Sequence, residues 1–307
     1  MQVSALNPAS PEAGHLLWLW NACLWVCYAI LAIVTASLIY IPIRFRGRNN
    51  VEPSQTTGSR KLEIAWTVVP ILLVMFLFVA SVVTTGAVYP DPGRKPDIIV
   101  TGHQWWWEVR YPAANVYTAN EVHIPVGRDL LVGVKSSDVA HDFWVPRLGP
   151  KMDAIPGREN TVFIRADSPG VYRGFCAEFC GDEHAWMLFR VVAQSPADYD
   201  AWLAEQARPA VAPGGGDAAQ GSVLFRQMTC ANCHNITGLN AQHQFAPDLT
   251  HLASRRMLAG ERLENTSDNL RQWLHQPNIL KPGCYMPDLK LTDQQLRLLT
   301  AYLETLK

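Results

Sequence analysis

The chain has 307 residues, a length that allows two or three domains. Only 17% of them are charged, and 26 Lys and Arg nearly balance 27 Asp and Glu. That fraction lies below the usual ~25%, as in partly membrane-embedded proteins, and the near-zero balance gives no hint of nucleic-acid binding.

Two apolar segments dominate residues 1–95, from about Leu16 to Ile43 and from about Ile64 to Val88, and neither contains a charge. Each exceeds the ~20 residues that cross a bilayer as a helix. A transmembrane hairpin with helices over about 15–43 and 63–88 is therefore predicted. A signal peptide is the alternative for the first segment, but no basic residue precedes it and it is too long for an h-region. The connecting loop carries Arg44, Arg46, Arg48, Arg60 and Lys61, whereas residues 1–15 carry no Lys or Arg. The positive-inside rule then places the loop in the cytoplasm and both termini outside. Trp18, Trp20 and Trp25 sit where an interfacial aromatic belt would. Cys23 and Cys27, one helical turn apart, read as inert buried thiols. Glu63 opens the second helix, where the macrodipole alone favours an acid.

Residues 96–204 change to strand-like patterning. Short β-rich runs at Asp97–Thr101, Glu121–Val126, Leu130–Val134 and Thr161–Arg165 are separated by Gly, Pro, Asn and Ser. Such spacing predicts an all-β sandwich or barrel. In Gly102-His-Gln-Trp105-Trp106-Trp107, strand alternation puts Trp105 and Trp107 on one face and Trp106 on the other.

Between two strands lies Cys176-Ala-Glu178-Phe-Cys180-Gly-Asp-Glu-His184-Ala-Trp-Met187. Thiolate and thioether are soft ligands that select copper, and imidazole suits copper equally. A mononuclear blue-copper site uses one Cys, two His and a weak Met, so one thiolate here is surplus. Two copper ions bridged by both thiolates is the economical reading, with His141 the candidate second imidazole. A Cys176–Cys180 disulfide suits an extracytoplasmic domain but leaves His184 and Met187 unexplained. A zinc site leaves Met187 idle.

Residues 205–216, rich in Pro, Gly and Ala, predict a flexible linker. About 12 such residues would have an r.m.s. reach of roughly 17–21 Å. Residues 217–307 follow, with Asp217 placed to cap a helix leading to Cys230-Ala-Asn-Cys233-His234. Cys-x-x-Cys-His is a c-type haem attachment signal, the thiols adding to the vinyl groups and His234 ligating iron. A final helix opens with a capping box at Thr292 and carries Leu296, Leu299, Tyr302 and Leu303 on one face.

The copper loop together with His141 resembles the CuA site of haem-copper oxidase subunit II. That resemblance covers about residues 15–205 and implies a Greek-key cupredoxin domain. It makes the Glu178 carbonyl a copper ligand beside His141, Cys176, Cys180, His184 and Met187. It also aligns Trp105 with the tryptophan that receives electrons. Glu178, through its carboxylate, and Asp153 would attend a magnesium ion at the boundary with subunit I. Glu63 would lie at the mouth of a proton-uptake path.

Residues 217–307 resemble an all-α class I cytochrome c. By that resemblance Met286, in Lys281-Pro-Gly-Cys284-Tyr-Met-Pro287, is the second axial ligand, ahead of Met228, Met257, His243, His251 and His275, and Pro247 packs the proximal side. Met/His ligation raises the iron potential. Cys284 has no assigned role.

The whole chain is thus similar to subunit II of a caa3-type cytochrome c oxidase. The resemblance implies electron flow from an external donor, a cytochrome or quinol-oxidising complex, through haem c and CuA to haem a of subunit I. Subunit III would be a further partner. The setting would be a bacterial inner (plasma) membrane, with the metal domains on the periplasmic or extracytoplasmic side. Oxygen would be reduced on another chain, because two helices cannot supply the many-helix haem-copper ligand set. The near-neutral haem domain, with nine Lys and Arg against eight Asp and Glu over 217–307, is expected to dock near Trp105 without strong charge attraction. Two rival readings are the CuA subunit of a nitric oxide reductase and a membrane-tethered copper and haem carrier.

Overall fold

The computed structural model describes residues 3–46, 58–89, 93–238 and 245–307. Arg48 and His243 lie outside them. The chain divides into a helical hairpin, Gly14–Val88, and a second unit formed by Met1–Ala13 with Tyr89–Lys307.

The hairpin is built from α1 (Pro11–Arg44) and α2 (Arg60–Val88). Their most apolar windows have mean hydropathy 2.3 and 2.6, and both helices are long enough to cross a membrane. Apolar side chains all around them face outward, Trp25, Leu31, Ile43, Leu72 and Val83 among them, which is stable in lipid rather than water. Both helices start three or four residues earlier than hydropathy marks. Ser10 Oγ accepts the Ala13 N–H at 3.0 Å and Pro11 takes the first helical position, so polar capping extends α1 beyond its apolar stretch. Glu63 lies in the first turn of α2.

The second unit contains a β-sandwich. One sheet has the order β3 (Val116–Ala119), β2 (Trp106–Tyr111), β1 (Ile98–His103), β5 (Leu130–Ser136), β8 (Asn160–Ile164). The other runs β4 (Glu121–Pro125), β10 (Leu188–Gln194), β9 (Gly170–Cys176), β6 (His141–Trp144), β7 (Met152–Ala154). Pairing is antiparallel except for β1 with β5 and β4 with β10. Val100, Trp107, Val109, Val132, Phe143, Phe189 and Val191 fill the space between the sheets. Trp105 and Trp107 both join this core, whereas Trp106 stacks on His103 with centroids 4.2 Å apart.

The predicted linker needs correction at its first residues, because α3 (Pro196–Gln206) includes 205 and 206. Ser195 caps it, accepting the Asp198 N–H at 3.2 Å, and Trp202 stacks on His123 with centroids 3.9 Å apart. The residues that follow are pinned rather than free. The Ala210 N–H donates to Thr237 O at 2.9 Å, and His251 Nε2 sits 3.0 Å from Arg208 O.

The helical region pairs α4 (Gly216–Gln227) with α7 (Asp293–Leu303). A Cβ at Gly221 would collide with the Leu298 carbonyl, so glycine permits this close crossing. Asp217 does not cap α4, whose N-cap is Gly215; it lies in the first turn and pairs with Arg297 at 3.2 Å. Thr292 and Gln295 form the capping box of α7, and Leu296, Leu299, Tyr302 and Leu303 are all buried.

Docking without strong charge attraction is also corrected. Arg190 of β10 makes a bidentate pair with Glu261, Nη2 to Oε2 being 2.7 Å, and both side chains are buried. The Arg256 N–H donates to Glu121 Oε1 at 2.9 Å, and Arg262 lies over the Trp186 ring, 3.7 Å from its centroid. Net charge concealed these contacts because Arg190 and Glu261 cancel in the count, while Glu121 and Arg262 meet a backbone N–H and an aromatic ring.

Candidate metal centre

β9 ends at Cys176 and β10 begins at Leu188, so the loop between them is held at both ends by paired strands. The Cys176 N–H donates to Met187 O at 3.1 Å, closing the loop on itself. Cys176 Sγ lies 3.8 Å from Cys180 Sγ, too far for a disulfide, and both cysteines are free. Around them are His184 Nδ1 at 3.6 Å from Cys180 Sγ, Met187 Sδ at 3.8 Å from Cys180 Sγ, and His141 Nδ1 at 3.9 Å from Cys176 Sγ. The Glu178 carbonyl oxygen is 3.2 Å from Cys176 Sγ. Six donors of the predicted set therefore converge, and His141, Cys176 and Cys180 suffice to mark a metal-binding cluster.

The electrostatics favour ligation. The Cys176 thiol is pushed down to about 4, first by the neighbouring Cys180, with His141 assisting and burial opposing. The Cys180 thiol is pushed up by the adjacent Cys176, so one proton is held between two sulfurs. A cation between them would displace it.

Sequence reasoning missed Asp138. Its Oδ1 lies 2.7 Å from His141 Nε2, directing Nδ1 toward the sulfurs. The same carboxylate accepts the N–H groups of Gln104 and Val139 at 2.7 and 2.6 Å. The Asp-x-x-His spacing was the available signal. Gly102 was also missed: a Cβ there would lie 2.6 Å from His141 Cδ2. Gly102→Ala is therefore expected to push the imidazole aside and weaken copper binding by about 10–100-fold, measurable by competition with a copper chelator.

Trp105 Nε1–H donates to Cys180 O at 2.9 Å, placing the indole directly against the copper loop. Asp153 and Glu178 are exposed, and the register partner of Asp153 across β6 and β7 is Asp142. Burial and the nearby Asp153 push the Asp142 carboxyl up to about 7.

In the helical region Cys233 is exposed, Cys230 half-buried, and both thiols are free. His234 Nδ1 lies 2.7 Å from Pro247 O, which leaves Nε2 for a metal. Met286 is half-buried, and its carbonyl accepts Asn278 Nδ2–H at 3.2 Å.

The family model of the cytochrome c oxidase subunit II transmembrane domain matches residues 1–83, that of its periplasmic domain 113–195, and that of cytochrome c 218–307. Cytochrome c oxidase subunit 2 of Alkalihalophilus pseudofirmus is 34% identical over 318 residues, spanning 99% of this chain and 91% of that protein. The chain belongs to the cytochrome c oxidase subunit 2 family. The subunit 2 proteins of Bacillus sp. (strain PS3) and Bacillus subtilis are 36% and 32% identical, covering 86% and 87% of this chain and 79% and 82% of theirs.

As a subunit II, the chain is a membrane protein and an electron-transfer subunit of a terminal oxidase, partnering subunit I in an oxidoreductase complex. Its sandwich is a cupredoxin domain that implies CuA copper, and its helical region is a cytochrome c domain that implies haem c. The residues fit both groups. Unbridged thiols face soft and imidazole donors in the first, and paired free thiols adjoin an oriented imidazole in the second.

Proposed function

We propose that His141, Cys176, Cys180, His184, Met187 and the Glu178 carbonyl hold a binuclear copper centre, while Cys230, Cys233, His234 and Met286 hold haem c. The observation that carries this reading is the convergence of two unbridged sulfurs on two imidazoles and a thioether within 3.6–3.9 Å. When bound, both groups supply reversible one-electron storage. The chain's own residues arrange it. Asp138 fixes the tautomer of His141, Pro247 that of His234, and Trp107 packs edge-on against the His141 ring beside two buried cysteines. Trp105, bonded to the copper loop, is the entry point for the electron bound for the copper pair, with haem a of subunit I beyond it.

Arg44, Arg46, Arg60 and Lys61 at the facing ends of α1 and α2 support an orientation with that end cytoplasmic and the metal domains periplasmic. Glu63, in the first turn of α2, is assigned to the mouth of a proton path. Asp153 and the Glu178 carboxylate are assigned to a magnesium site facing subunit I, and Asp142 lies opposite Asp153 as a further carboxylate. Subunit III completes the complex, and the external donor is a cytochrome or quinol-oxidising complex.

The co-purified complex is expected to consume oxygen when its donor is supplied reduced. Nitric oxide consumption without oxygen uptake would assign the chain to a nitric oxide reductase instead.

A further inference from the structure

The loop carrying Met286 does more than present a thioether. Lys281, at its start, reaches out of the cytochrome c domain into the cupredoxin domain. Its Nζ donates to the backbone carbonyl of Trp105 at 2.8 Å and lies 3.0 Å from a Glu183 carboxylate oxygen. Both charged side chains are buried, and Glu183 immediately precedes the copper-loop residue His184. Four residues further along, Tyr285 lays its ring over Trp105 with centroids 4.8 Å apart, and its hydroxyl donates to Gln104 Oε1 at 3.2 Å. Trp105 is left only 5% exposed although Tyr285 itself is 69% exposed.

A buried lysine and glutamate hold their charges only when paired. This pair spans two domains and touches both the backbone of Trp105 and the copper loop. Tyr285 precedes Met286 in the chain and meets Trp105 through space, so a string of neighbouring groups, Met286, Tyr285 and Trp105, runs from one domain to the other. We propose that Lys281 and Glu183 form a latch that holds the Met286 loop on the cupredoxin domain, with Tyr285 as the positioned ring bridging the haem side to Trp105. This inference rests on the ligand assignment above only for the electron path; the latch stands on the contacts alone. The step served moves one electron from the haem side to the copper side and makes or breaks no bond. It also follows that a soluble donor does not meet Trp105 in the intact chain and must reduce the cytochrome c domain instead.

The test uses the intact oxidase complex and two readouts. Backbone hydrogen exchange is followed over 104–107, 181–187 and 281–287, and electron transfer from haem c to copper is followed after flash reduction. Lys281→Met and Glu183→Gln should each speed exchange in all three segments by roughly tenfold or more while leaving the interior of β1 and β10 protected. Tyr285→Leu, an exposed substitution that does not endanger folding, should leave exchange unchanged but slow transfer by about tenfold or more. Tyr285→Phe should restore the rate, with haem and copper spectra unaltered in both variants. Unchanged exchange in both latch variants overturns the latch, and wild-type transfer in Tyr285→Leu overturns the ring's role. Exchange needs no cofactor, so a complex found without copper or haem would defeat the ligand assignment and still decide the latch.

Discussion

Replacing either Cys176 or Cys180 by Ser is expected to abolish copper binding as a pair, not to halve it. The two sulfurs lie 3.8 Å apart and share one set of neighbours, with His141 on the Cys176 side and His184 and Met187 on the Cys180 side. A hydroxyl is a harder and far less acidic donor than the thiol it replaces, so the remaining thiolate cannot hold two ions together. The Cys176 variant also loses the thiol that the site acidifies to about 4. Copper per chain should fall from two to near zero after dialysis, measured by elemental analysis, while far-ultraviolet dichroism stays near wild type. Retention of one firmly held copper per chain in either variant would show that each thiolate serves a separate ion.

The second large effect is expected from ending the chain after Arg208. The cupredoxin core closes without the cytochrome c domain, because Trp107, Phe143, Phe189 and their neighbours all come from residues before the cut. Copper loading and assembly with subunit I should therefore persist. Turnover with the natural donor should fall by about 10²-fold or more, the lower end of the gain that tethering provides. Truncation uncovers Trp105, but it offers an incoming cytochrome little net steering, since Asp138 is already committed to His141 and the cut unpairs charges of both signs, Arg190 from Glu261 and Glu183 from Lys281. Oxygen uptake against donor concentration measures the loss. A truncated complex as fast as the intact one would make the cytochrome c domain dispensable.

How much could be read beforehand depended on how locally each feature is encoded. The copper loop was legible because four donor side chains fall in one short stretch, and the haem signal because attachment and ligation need adjacent residues. The hairpin was legible from hydropathy, but its polar first turns were not, since Ser10 and Arg60 carry no apolar signal. Strands β2, β6, β7 and β9 were harder: Gly170–Cys176 mixes glycines and an arginine because it lies across β10, where a Cβ at Gly174 would collide with Phe189. Helix α3 had its capping signal in Ser195-Pro196, which went unread. Least legible was the domain interface. Arg190 with Glu261 and Lys281 with Glu183 are far apart in sequence and cancel in any charge count, so only the folded chain reveals a seated cytochrome c domain in place of a swinging one.

The most direct test of the central claim is a joint count of copper and covalent haem per chain in the purified complex, with the visible spectrum recorded on the same sample. The account predicts two copper ions and one haem that stays with this chain on a denaturing gel. A single copper with a blue-site spectrum, zinc in its place, or a haem released by denaturant would contradict it.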